Sequence, residues 1–141
     1  MTGSLISMET INAYKAANYR VFSDDPFILK IGQPSADLHR LSKKYGCDSS
    51  VFITACNPYS QIVSEADNTS AQDQLASYLM EESLSSIKGQ GEGDTDAWPG
   101  EESFLVFGIS LTSAKSMGVH FMQNAIVWNS NDSIPQLILL R

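Results

Sequence analysis

The residues of this chain with the most capacity for chemistry are carboxamides and hydroxyls at the ends of apolar runs. Asn57 and Ser60 stand in the segment Thr54, Ala55, Cys56, Asn57, Pro58, Tyr59, Ser60, and Gln123 and Asn124 stand just before Ala125. Side-chain amides donate and accept hydrogen bonds together, which suits recognition of a polar planar group or stabilisation of a developing negative charge. Trp98 offers a flat apolar wall for stacking. Glu102 supplies one carboxylate, a general base if burial raises its pKa. Plainer uses exist for each: Asn57 before Pro58 is a common turn starter, Gln123 and Asn124 can satisfy carbonyls at a helix end, and Trp98 can plug an edge of the core. A second acid beside Glu102, a histidine pair and a defensible Ser-His-Asp order are all missing. The pattern therefore points to a ligand-binding cleft, with any reaction left open and no cofactor or metal expected.

Three strands must position these groups. The apolar run 51–56 ends in the Asn-Pro-Tyr-Ser segment, the run 104–109 follows Trp98, Glu101 and Glu102, and the run 125–128 follows Gln123 and Asn124. If the first strand runs antiparallel to the other two, all three polar clusters fall on one edge of the sheet. A polar loop containing Asn68 would cover the cleft so formed.

The remaining elements follow from caps and periodicity. Ser7 caps a helix with Ile11 and Tyr14 on one face, ending near Asn18. Residues 19–22 and 27–31 form a hairpin around Ser23, Asp24, Asp25 and Pro26. Ser35 caps a helix bearing Leu38, Leu41 and Tyr45, closed by Gly46. Ser70 and Asp73 resemble a capping box, starting a helix that carries Leu75, Tyr78 and Leu79 to about Leu84. Residues 88–100, with Gly89, Gly91 and Gly93 in alternation, read as a mobile acidic loop. Run 104–109 is apolar on both faces and so central in the sheet. Ala114, Met117, Gly118 and Phe121 recur at helical spacing, and residues 125–128 and 136–140 close the chain as a hairpin. The expected class is α+β: a single-layer mixed β-sheet packed with about four helices, in one globular domain over residues 1–141.

Composition bounds the function. Sixteen acidic against nine basic residues give a net charge of -7 over 141 residues, which repels nucleic acid and anionic membranes. The densest basic cluster, His39, Arg40, Lys43 and Lys44, reads as a solvated helix face. No run approaches the roughly 20 apolar residues of a membrane span, and the N-terminus lacks the pattern of a secretory signal, so a cytoplasmic location is expected. There Cys47 and Cys56 would stay reduced, with Cys56 a small buried filler.

The combination of Tyr-Lys-Ala-Ala-Asn-Tyr at 14–19, Thr-Ala-Cys-Asn-Pro-Tyr-Ser at 54–60, Asn68, Trp98-Pro99, Glu102-Ser103, Gly108-Ile109 and Gln123-Asn124-Ala125 resembles a bacterial family known as domain of unknown function 3293. The spelling Pro-Gly-Glu-Glu-Ser at 99–103 departs from the tighter Pro-Glu-x-Ser expected of that family, leaving either Glu101 or Glu102 in the family's position. The resemblance implies a small single-domain cytoplasmic protein and brings no activity with it.

Two functions follow from the residues themselves. One is binding of a small polar or planar ligand by Asn57, Ser60, Trp98, Glu102, Gln123 and Asn124. The other is an acidic interaction module, inhibitor-like or antitoxin-like, that masks a basic protein partner through Glu92, Asp94, Asp96, Glu101 and Glu102. The closing hairpin leaves an edge strand, so a monomer or a weak homodimer is expected.

Overall fold

The computed structural model describes residues 4–94 and 100–141. Among these described residues, serine caps open all four α-helices. Ser7 accepts from the Thr10 amide at α1 (Met8–Ala16), and the chain then turns extended into β1 (Asn18–Val21) and back through β2 (Phe27–Leu29), an antiparallel hairpin. Ser35 accepts from Leu38 N at α2 (Ala36–Lys44). After β3 (Ser50–Ile53) comes α3 (Glu65–Glu81), capped by Ser64 through the Asp67 amide and not by Ser70. Ser64 and Asp67 form a capping pattern of the same kind six residues earlier. A nucleated helix gains about one hydrogen bond for each residue added, so the earlier start prevails.

The largest departure from expectation lies at residues 88–92. They are not loop but most of β4 (Ser86–Glu92), which pairs with β1 on one side and β5 (Glu101–Phe107) on the other. Gly89 is there because two neighbours come too close for a side chain: a Cβ would stand 2.5 Å from the Arg20 carbonyl oxygen and 2.7 Å from the Phe52 ring. A glycine demanded by close packing inside a sheet resembles, in sequence, a glycine demanded by a loop. Residues 95–99 of the expected loop lie outside the described residues.

The chain ends with α4 (Leu111–His120), β6 (Ala125–Asn129) and β7 (Gln136–Leu139). The seven strands among the described residues lie in the order β2-β1-β4-β5-β3-β6-β7, with β5 in the centre. The α+β class, four helices and closing hairpin are as expected. Strand directions are not mixed between neighbours, for every pairing is antiparallel. A strand-helix-strand crossover, β5-α4-β6, suggests adjacent parallel strands, but β3 lies between those two and restores antiparallel pairing on both sides.

Helices cover both faces. Val51, Ile53, Phe104, Val106, Ile126 and Trp128 pack with Leu75 and Leu79 of α3 and Ala114 and Met117 of α4. On the opposite face Tyr19, Val21, Leu29, Phe52, Leu105, Phe107 and Val127 pack with Leu38 of α2 and with Ala17. Each fully buried aliphatic side chain contributes about 1.5–3 kcal/mol. No helix among the described residues is long and apolar enough to cross a membrane.

Candidate functional site

Strand direction decides whether a site exists, and β3 runs antiparallel to both β5 and β6. The segment leaving β3, the start of β5 and the start of β6 therefore share one rim. Asn57, Ser60, Gln123 and Asn124 line a common cavity of about 70 Å³ together with Tyr14, Tyr19, Gly91, Glu101 and Ser103. It adjoins a cleft of about 300 Å³ between α1 and the sheet, whose walls share Tyr14, Tyr19, Ser60, Gly91 and Glu101 and add Thr10, Ala13 and Ala17.

Two expected members are not there. Trp98 lies outside the described residues. Glu102 is exposed and lines a separate hollow with Ile62, Val63 and Glu65, so the carboxylate of the cavity is Glu101. Alternation along β5 is the reason. Phe104 and Val106 face α3 and α4, whereas Leu105 and Phe107 face the other core, and with a period of two Glu101 falls on the side of Leu105.

The turn after β3 is held in an uncommon backbone state. Asn57 (φ 46°), Tyr59 (φ 54°) and Ser60 (φ 59°) are all left-handed, a conformation that costs a non-glycine residue about 1–2 kcal/mol. The cost is met by specific bonds. Asn57 N donates to Asn68 Oδ1 at 2.8 Å, while Asn57 Oδ1 accepts from Asn68 Nδ2 at 3.0 Å and from Val63 N at 3.2 Å. Tyr59 N donates to the Met122 carbonyl at 2.8 Å. Asn57 also reaches Glu101, with Nδ2 donating to Oε2 at 2.8 Å. Asn57 thus frames the site and orients its carboxylate, and Asn68 is its pair, not a cover.

Gln123 has a similar office. Its Nε2 donates to the Cys56 and Phe121 carbonyls, both at 3.2 Å, tying the end of α4 to the segment leaving β3. Gln72 of α3 holds the same segment from the other side, accepting from the buried Ala55 N at 3.0 Å.

Three groups meet over the cavity. The Tyr14 hydroxyl and Ser60 Oγ share a short hydrogen bond. Asn124 Nδ2 donates to both, at 3.0 Å to Tyr14 and 3.4 Å to Ser60. Asn124 Oδ1 accepts from Arg141 at 3.3 Å. Because a guanidinium can only donate, that contact fixes the amide with its Nδ2 toward the hydroxyls. The Arg141 guanidinium itself lies 4.0 Å over the Tyr59 ring, a cation–π contact.

Burial tunes two further groups. The Tyr19 phenol is pushed well above its ordinary value of 10.0, chiefly by burial, then by Tyr14 and Glu101; it donates to the Tyr14 carbonyl at 2.6 Å. Burial also raises the Cys56 thiol, which keeps it protonated and a poor nucleophile. Cys47 and Cys56 are both free.

Tyr14, Tyr19 and Glu101 are cavity-lining residues that motif reading did not select. Tyr14 and Tyr19 were visible only as the ends of the Tyr-Lys-Ala-Ala-Asn-Tyr segment, and Glu101 as one of two adjacent glutamates.

No curated protein and no solved structure matches the chain. A family model does, that of a protein of unknown function (DUF3293), over residues 53–126. The matched stretch runs from the last residue of β3 into β6 and includes the strained turn, Glu101, Gln123 and Asn124. Because the match covers just over half of the chain, the protein belongs to the DUF3293 family.

Proposed function

We propose that this protein binds a small polar, planar ligand in the cleft between α1 and the sheet, with Tyr14, Ser60, Glu101 and Asn124 supplying the polar contacts. Asn57 and Gln123 act as the frame that holds them. One observation carries the reading: polar groups from four separate chain segments converge beside a gap in the side-chain cover of the sheet. Tyr19 pairs with Gly91, and Gly91 pairs with Glu101. In-register neighbours share a face, so glycine leaves the row between a tyrosine ring and a carboxylate open. A preformed, mostly apolar hollow with a few convergent polar groups is the usual form of a small-molecule site.

The gap also provides the test. A Cβ at Gly91 would meet nothing nearer than Ser103 Oγ at 3.9 Å, so Gly91→Leu should fold and fill the cleft without removing a polar group. A thermal-shift screen of neutral and charged polar metabolites is run on both proteins. Ligand at about 100 times its Kd stabilises by about 2.7 kcal/mol, so the wild type should gain several degrees in Tm with at least one compound and Gly91→Leu should not. A compound set that leaves wild type unmoved, or shifts both proteins alike, would remove the proposal.

A further inference from the structure

The polarity of the Asn124 amide is not set by the hydroxyls it touches. Nδ2 stands 3.0 Å from the Tyr14 hydroxyl and 3.4 Å from Ser60 Oγ, and a hydroxyl can either donate or accept. Either end of the amide would satisfy that pair. The far side of the amide is different: it meets the Arg141 guanidinium, with Nη1 donating to Oδ1 at 3.3 Å, and a guanidinium offers donors and no acceptor. Only the amide oxygen can take that position. A hydrogen bond from a cation is also about twice as strong as a neutral one, so Arg141 outweighs any preference on the hydroxyl side.

Arg141 is held where it can do this. Leu140 N donates to the Asn124 carbonyl at 2.8 Å, and the Arg141 carbonyl accepts from Ser4 Oγ at 2.8 Å, so the backbone is tied on both sides of the Arg141 side chain. The Leu140 side chain packs against α4 so closely that a Cβ on Gly118 would stand 2.5 Å from its Cδ1. From this anchored base the guanidinium lies 4.0 Å over the ring of Tyr59, the residue before Ser60 in the left-handed turn. Among the described residues it makes no ion pair, although the chain carries sixteen acidic residues. Its contacts go to the amide and to the turn.

The orientation decides what the hydroxyl pair can offer. With Nδ2 inward, Asn124 gives hydrogens to both oxygens and accepts from neither, so it does not take up the hydroxyl hydrogen that Tyr14 and Ser60 leave unshared between them. With the amide turned over, Oδ1 would accept that hydrogen. Asn124 is only 7% exposed, and a buried carboxamide oxygen that loses its donor needs another. The hydroxyls on its far side are the donors within reach.

We infer that Arg141 is a positioning residue: acting through Asn124, it keeps the Tyr14–Ser60 pair able to donate a hydrogen bond into the cavity. The bearing of this on ligand recognition rests on the binding function proposed above. The orientation of the amide does not.

The test needs no ligand, so this inference and the binding function fail separately. Hydrogen exchange of the Asn124 side-chain amide is followed by NMR in wild type, Arg141→Met, Arg141→Lys and Tyr59→Leu, with the Leu140 backbone amide as internal reference. Methionine keeps an apolar stem over Tyr59 and removes the donors, lysine restores a head that can only donate, and Tyr59→Leu removes the ring while leaving the guanidinium. In Arg141→Met the Asn124 Nδ2 hydrogens should exchange about ten-fold faster or more, whereas Arg141→Lys and Tyr59→Leu should stay within about three-fold of wild type. The Leu140 amide should keep its protection in all four proteins. Exchange at Asn124 that stays within about three-fold of wild type in Arg141→Met would overturn the inference, because the amide would then be oriented without Arg141. Loss of protection at Leu140 together with Asn124 would overturn it by reducing Arg141 to a structural tie for β7. Equal loss at Asn124 in Tyr59→Leu would overturn it in favour of the ring contact.

Discussion

At the scale of single residues, the polar cluster divides into groups that build the cavity and groups that face a ligand in the proposed function, and mutation should separate them. Asn57 has every polar atom in use, so Asn57→Ala should cost about 2–3 kcal/mol of stability in chemical denaturation, because removing a partner strands buried donors and acceptors. Tyr14→Phe should behave differently. It leaves Ser60 with its own hydrogen and with Asn124 as donor, so stability should fall by only about 1 kcal/mol and ligand binding should survive. The double variant Tyr14→Phe, Ser60→Ala removes both hydroxyls and should lose ligand binding, as read by titration. Tyr19 carries a pH signature. Its phenol is raised above 10.0 in the folded protein, so the folded state holds the proton more tightly than the unfolded one. Stability is then fully present below about pH 10 and is lost as pH climbs beyond it. The raised Cys56 thiol acts in the same direction, beginning nearer its ordinary 9.0. Urea midpoints measured from pH 8 to 11 should therefore fall, and Tyr19→Phe should flatten the upper part of the decline.

At the scale of elements, most of the frame is legible in the chain because caps and apolar runs are local signals. Ser7 and Ser35 cap the helices expected of them, and runs 51–56, 104–109 and 125–128 supply strands. What escaped was set by tertiary contacts. β4 reads as a glycine-rich loop because Gly89 answers to Phe52 and Arg20, far away in sequence. The choice between Glu101 and Glu102 depends on which face of β5 each residue takes, and with helices covering both faces the apolar run does not alternate. Two glycines two residues apart on β4 test the account of the strand. Gly89→Ala should destabilise by about 1–3 kcal/mol through overpacking against the Arg20 carbonyl and Phe52. Gly91→Ala, whose Cβ would meet Ser103 Oγ at an ordinary contact distance of 3.9 Å, should change stability by less than about 0.5 kcal/mol. Paired denaturation curves check both.

At the scale of the whole molecule, one topological fact joins the fold to the proposed binding site: β3 lies between β5 and β6 and opposes both. That arrangement puts the chain leaving β3 against the starts of its two neighbours, and helix α1 closes the space over the row Tyr19, Gly91, Glu101. The sequence shows the three polar clusters but not their convergence, since strand order depends on which apolar faces meet once helices have packed. The most direct measurement is an amide NMR titration of the wild-type protein with the compound that most raises its Tm in the thermal-shift screen. Shift changes gathered at Tyr14, Tyr19, Ser60, Gly91, Glu101 and Asn124, and absent in Gly91→Leu, are the predicted result. Changes gathered instead on the outer faces of α3 and α4, with the Gly91 row silent, would contradict it.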